Sequence, residues 1–158
     1  MTNTRETRRT DIGSRIIKAP PEVIYRALVD PEAVASWRPP KGMRAEILAF
    51  EPRQDGTFRM AFIYEGAGSH GKTTDSADVF EGRFVELVPN SHVVELIAFE
   101  SDDPAFAGSM RIVTLLEPVK GGTKVTVRCE DVPPGIGEDD HREGIASSLE
   151  NLAAFTET

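Results

Sequence analysis

Apolar residues change their spacing along this chain from extended to helical, then to alternating, then back to helical, and each change marks an element. Residues 12–18 read as a short strand. Ala19-Pro20-Pro21-Glu22 ends it and starts a helix, because proline suits the first helical turn and Glu22 complements the N-terminal dipole. Val23, Ala27 and Leu28 follow at helical spacing, and the pattern stops near Val29. Asp30-Pro31-Glu32 opens a second short helix, with Asp30 as its cap and Ala33, Val34 and Trp37 along it. Arg38-Pro39-Pro40-Lys41-Gly42 terminates that helix.

From here the period is two. Residues 43–50 form a strand, and Arg53-Gln54-Asp55-Gly56 turns it back with Asp-Gly supplying positive φ. Phe58, Met60, Phe62 and Tyr64 then alternate with Arg59, Ala61, Ile63 and Glu65, which puts the aromatic set on one face of an antiparallel strand. A polar loop over 66–76 leads to strands at 77–88 and 92–100, joined by Pro89-Asn90-Ser91. After a loop at 101–108, strands at 110–117 and 123–130 pair through Lys120-Gly121-Gly122. Six strands in meander order thus follow two helices. Pro133-Pro134 and an acidic first turn announce a last helix over 138–155, whose apolar stripe is Ile145, Leu149, Leu152 and Phe155, flanked by Ala146 and Ala153.

Length and charge narrow what such a chain does. At 158 residues there is room for one well-cored domain, expected over 12–158 behind a flexible N-terminal arm at 1–11. Hydrophobic residues at 39% and charged ones at 28% suit a chain that folds unaided. A net charge of −8, from 26 acidic against 18 basic residues, repels phosphate backbones and anionic lipid surfaces, so neither nucleic acid nor membrane is an expected partner. Arg5, Arg8 and Arg9 lie in the arm and read as solvated. The lone Cys129 falls in the alternation Val125, Val127, Cys129 and reads as a buried, inert thiol. With no signal-like leader and no stretch long enough to span a bilayer, the expected location is cytoplasmic.

The local wording carries a resemblance. Ala19-Pro20-Pro21-Glu22-Val23-Ile24-Tyr25-Arg26-Ala27-Leu28, then Asp30-Pro31-Glu32 and Trp37, resembles the opening signature of the activator of heat-shock protein 90 ATPase homologue-like family, within the SRPBCC superfamily. Asp55-Gly56-Thr57-Phe58-Arg59 resembles that family's Gly-Gly-x-Phe-Arg turn, with Asp55 for the first glycine. The segment from Gly82 through Arg83 and Phe84 to Pro89 is similar to its next strand, and Leu116-Glu117-Pro118 with Gly121-Gly122-Thr123 to its late hairpin. His141, Gly144 and Ile145 fit its final helix, although the family often has tryptophan where Ile145 stands. The resemblance implies an α+β, START-like or Bet v-like helix-grip fold: a curved antiparallel sheet of six to seven strands around a long C-terminal helix, with two short helices after the first strand. It also implies a space between sheet and helix that holds apolar or amphipathic ligands in related proteins.

In such a space the expected lining is Trp37, Phe58, Met60, Phe62, Tyr64, Phe80, Phe84, Phe99, Met110 and Ile112, opposed by Ile145, Leu149 and Leu152. Trp37 either gates a ligand or packs the short helices against the sheet. The alternative is a filled core. Glu95 interrupts the apolar strand Val93-Val94-Glu95-Leu96-Ile97; facing inward it is a candidate acid or base or the partner of Arg83 or Arg111, and facing outward it is ordinary. Binding of a hydrophobic small molecule without covalent chemistry is the leading reading. The first alternative is a cyclase, aromatase or dehydratase-like enzyme working without metal or other cofactor, with Glu95 and Tyr64 as catalytic candidates and Arg83 as orienting cation. The second is a chaperone-interacting module, for which the name of the family is the only ground; a homodimer fits any of the three.

Three further motifs point to other chemistry and lack its context. Gly66-Ala67-Gly68-Ser69-His70-Gly71-Lys72-Thr73 spells a phosphate-binding loop, yet no helical stripe follows it and no alternation of strand and helix surrounds it, so it reads as a hairpin loop with no nucleotide site. His70, His92 and His141 lack metal spacing, and Asp139-Asp140-His141 is explained by the helix dipole. Ser109, Ser147 and Ser148 have no nucleophile-elbow setting.

Overall fold

The computed structural model describes residues 8–40, 42–65 and 77–157. Strand β1 (Arg9–Ile17) leads into helices α1 (Pro21–Val29) and α2 (Pro31–Trp37). Strands β2 (Met43–Phe50), β3 (Thr57–Tyr64), β4 (Ala77–Val88), β5 (His92–Phe99), β6 (Ser109–Val119) and β7 (Gly122–Val132) follow, and α3 (Glu138–Thr156) closes the chain. All seven strands join one antiparallel sheet in the order β1-β7-β6-β5-β4-β3-β2. The sheet is a meander from β2 to β7 whose far edge is completed by β1, so α1 and α2 carry the chain from one edge to the other. Register shifts at Arg9/Asp11, Ile47/Ala49 and Phe84/Glu86 bend individual strands, as bulges do. The sheet curves around α3 in the helix-grip arrangement.

Local chemistry accounts for the boundaries. Pro21 and Pro31 occupy first helical positions, and the Asp30 carboxylate accepts the amide of Glu32 at 3.1 Å. The two short helices are tied by the Trp37 indole, whose Nε1–H donates to the Ala27 carbonyl at 2.8 Å. On α3, Ile145, Leu149 and Leu152 are buried against the sheet. The helix comes so close to β1 that a Cβ on Gly13 would stand 2.6 Å from Ile145 Cγ2, a contact that no side chain tolerates.

The structure corrects several expectations. β1 begins at Arg9, so residues 9–11 belong to the sheet and Asp11 is fully buried, because its carboxylate finds partners there. Positive φ in the β2–β3 turn falls on Asp55, at 65°, not on Gly56. Phe155 is exposed while Thr156 is buried, since the helix's inner face ends at Leu152, Ala153 and Thr156. A short 3-10 turn at Pro104–Phe106 lies within the expected loop. No helix among the described residues is long and apolar enough to cross a membrane.

Candidate functional site

Strand register brings inward-facing residues into rows. One row runs Phe84, Glu95, Ile112, Cys129, Asp11 across five strands. Others run Phe58, Gly82, Ile97, Met110 and Ile47, Met60, Phe80, Phe99. Residues directly opposite one another on a sheet share a face, so Glu95 looks into the space beneath α3 with Val93 and Ile97, and it is 4% exposed. Between these rows and α3 lies a cavity of about 670 Å³.

The cavity's apolar wall includes Phe80, Ile97, Phe99, Met110 and Ile112 from the sheet and Ile145, Leu149 and Leu152 from the helix. Among its polar lining is a buried ion pair. Arg38, at the C-terminal end of α2, donates from Nη1 to Glu95 Oε2 at 2.8 Å and from Nη2 to Oε1 at 3.0 Å. α3 holds the backbone beneath this arginine: Ser148 Oγ donates to the Arg38 carbonyl at 2.8 Å, and Asn151 Nδ2 to that of Pro39 at 3.0 Å. Burial works against the guanidinium charge, but the Glu95 carboxylate outweighs it and keeps the arginine protonated. The two side chains are thus held together in a planar, bidentate fork.

Further polar groups border the space. Tyr64 lies near the buried Asp78; burial first, then the Asp78 charge and its hydrogen bond, push the phenol above its usual range, so Tyr64 stays neutral and donates to that carboxylate. At the start of α3, His141 lines the cavity and its Nδ1–H donates to Asp11 Oδ2 at 2.7 Å. Arg9 grips the same carboxylate, with Nε to Oδ1 at 2.8 Å and Nη2 to Oδ2 at 3.0 Å, and reaches the Ile136 carbonyl at 2.6 Å. Burial alone would raise the Asp11 carboxyl, but the hydrogen bonds and charges of Arg9 and His141 hold it below its ordinary value. Cys129 also lines the cavity; burial pushes its thiol up to about 12, which leaves it protonated and poorly nucleophilic.

Of the residues expected to line the space, Trp37, Phe62, Tyr64, Phe80, Phe99, Met110, Ile112, Ile145, Leu149 and Leu152 stand around the cavity. Phe58, Met60 and Phe84 do not: they are 1%, 0% and 0% exposed in the packed core, where the Phe84 ring lies 5.0 Å from Phe58 and 5.4 Å from Phe50. Neither Arg83 nor Arg111 pairs with Glu95, since both stand on the outer face, where Arg83 meets Asp55 at 3.3 Å and Arg111 meets Glu130 at 3.7 Å. Trp37 both packs the short helices together and borders the cavity. Arg38 was legible only as part of a helix stop, and nothing in its spacing ties it to Glu95. His92 sits at the surface against Glu86, 2.6 Å away. Among the described residues no group of three or more His, Cys, Asp or Glu is placed to hold a metal. The Gly66–Thr73 motif lies outside the described residues, but the sheet beside it is antiparallel, not the parallel sheet of a phosphate-binding loop.

The sequence matches the family described as Activator of Hsp90 ATPase homolog 1-like protein over residues 18–157. Among solved structures, a protein of Chromobacterium violaceum is 32% identical, with 94% of this chain and 97% of that one covered and a TM-score of 0.84. A Rhodobacter sphaeroides protein shares the fold at 19% identity, covering 92% of this chain and 96% of its own, with a TM-score of 0.73. So does an AHSA1-like protein from Aeromonas hydrophila, at 14% identity, coverage of 94% and 92%, and a TM-score of 0.71. No curated protein matches this sequence.

Proposed function

The chain belongs to the Activator of Hsp90 ATPase homolog 1-like family, and on that premise we propose that it binds a hydrophobic or amphipathic small molecule between its sheet and its C-terminal helix. The cavity carries this reading. Its volume of about 670 Å³ falls within the span of roughly 300–1,000 Å³ that small-molecule sites occupy. Its walls are apolar over most of their area, with polar groups confined to a few places, the arrangement that orients one end of a ligand while burying the other. Side chains facing an unfilled space lose dispersion contacts on that side, so an apolar body seated there stabilises the fold.

Catalysis by Glu95 draws less support, because both its carboxylate oxygens already accept from Arg38. Binding needs no such group to be released. The test is native mass spectrometry of the full chain purified from its own source, followed by denaturing extraction. A stoichiometric apolar or amphipathic compound is the expected result, and adding it back at one hundred times its Kd should stabilise the chain by about 2.7 kcal/mol. An empty protein whose melting temperature stays unchanged across a panel of lipids and aromatic polyketones would overturn the reading.

A further inference from the structure

The cavity's charges sort the ligands it can take. Among its described lining residues the single fixed cation is Arg38, against the carboxylates of Glu95, Asp78, Asp140 and Glu143. Arg38 is already neutralised: its fork is matched atom for atom by Glu95, and the two side chains are only 14% and 5% exposed. A guanidinium carries five N–H donors, and Glu95 takes one from each terminal nitrogen, so Arg38, which borders the cavity, retains donor capacity while the pair carries no net charge.

A carboxylate or phosphate brought to Arg38 would be a second anion on one cation, and the excess negative charge would be buried without compensation, which is strongly unfavourable. The buried Asp78 beside the same space adds to the repulsion, and the exposed Asp140 and Glu143 add a smaller, solvent-screened share. A carbonyl, ester or hydroxyl oxygen accepts the same hydrogen bond and brings no charge with it.

Resting on the binding reading above, we propose that the site selects uncharged amphiphiles, with a neutral oxygen acceptor seated on the Arg38–Glu95 pair, and excludes acids of the same carbon skeleton. The pair serves as a polar floor that rejects anions, where an unpaired arginine would recruit them.

The experiment compares decanoic acid, methyl decanoate and decanol as probes of the intact chain at neutral pH, by calorimetric titration and by shift in melting temperature. The ester and alcohol are expected to bind at least about tenfold more tightly than the ionised acid. Glu95→Gln, which leaves Arg38 with its charge uncompensated, should reverse that order in favour of the acid. Should the acid bind the native chain as tightly as the ester, charge selection is overturned while the binding reading stands. A folded Glu95→Gln variant with an unchanged order of preference would overturn the assignment of selection to this pair. If none of the three probes binds or shifts the melting temperature, the assignment of the site to uncharged amphiphiles is overturned, whereas the binding reading itself stands or falls on the broader panel above.

Discussion

Two aromatic clusters share strands β3 and β4, one reaching back to β2 and the other on to β5 and the 3-10 turn, and they end in different states. Phe50 packs edge-on and Phe58 tilted against Phe84, which with Phe58 is buried in the core away from the cavity. Phe62, Phe80, Phe99 and Phe106 also form a chain of contacts, at centroid distances of 5.0, 6.0 and 6.3 Å, but border the cavity or lie beside it. The difference lies in what stands across the strand. Gly82 pairs with Phe58, and a Cβ there would come 2.8 Å from Phe58 Cζ, so the missing side chain lets that ring settle onto the sheet. At the other end Asp78 pairs with Phe62, and its carboxylate holds the Tyr64 phenol. A polar group that must keep its partners resists collapse, whereas an apolar gap beside a glycine closes.

The largest effect should come from the closed end. Phe84→Ala is expected to cost roughly 3–5 kcal/mol in urea unfolding, and Phe99→Ala, half-buried beside the cavity, less than half of that. Equal losses would break the comparison, because they would mean that both ends are packed alike.

Next is the pair that forms the polar floor. Glu95→Ala leaves a buried guanidinium unpaired and should cost about 3 kcal/mol, whereas the double change Arg38→Met with Glu95→Leu should recover most of the loss. A double variant no better than the single one would show that the fork positions more than its own two side chains.

Asp11 sharpens the contrast between a cavity carboxylate and a structural one. Its folded-state carboxyl is held below the ordinary value, so its contribution is fully present above the unfolded carboxylate range of about 3.9 and disappears as pH falls through the lower folded value. Asp11→Asn should lose roughly 1–3 kcal/mol at neutral pH and flatten the acid limb of a stability profile. The smallest effect belongs to Tyr64. Tyr64→Phe should change stability by about 1 kcal/mol and remove, from a spectrophotometric titration, a phenol that ionises above the usual value of about 10.

Much of the architecture was legible because its causes are local. Pro21, Pro31 and Asp30 set the helix starts through φ restriction and capping, and alternation at Phe58, Met60, Phe62 and Tyr64 sets which side chains share a face. Residues in one such set cannot be sorted by period, which is why Phe58 and Met60 read the same as Phe62 and Tyr64 although only the latter pair reaches the cavity.

What the amino-acid order determined by itself, then, is the succession of elements, the inward faces of the strands and the apolar stripe of the last helix. Tertiary structure decided the chemistry of the interior. Arg38 meets Glu95 across 57 positions, and His141 meets Asp11 across 130. Such meetings depend on how α2 and α3 settle onto a sheet bent by its bulges, and no spacing along the chain encodes where two separate elements will touch. The extent of the cavity follows from the same contacts, because a space stays open only where the surrounding side chains, once packed, cannot reach across it.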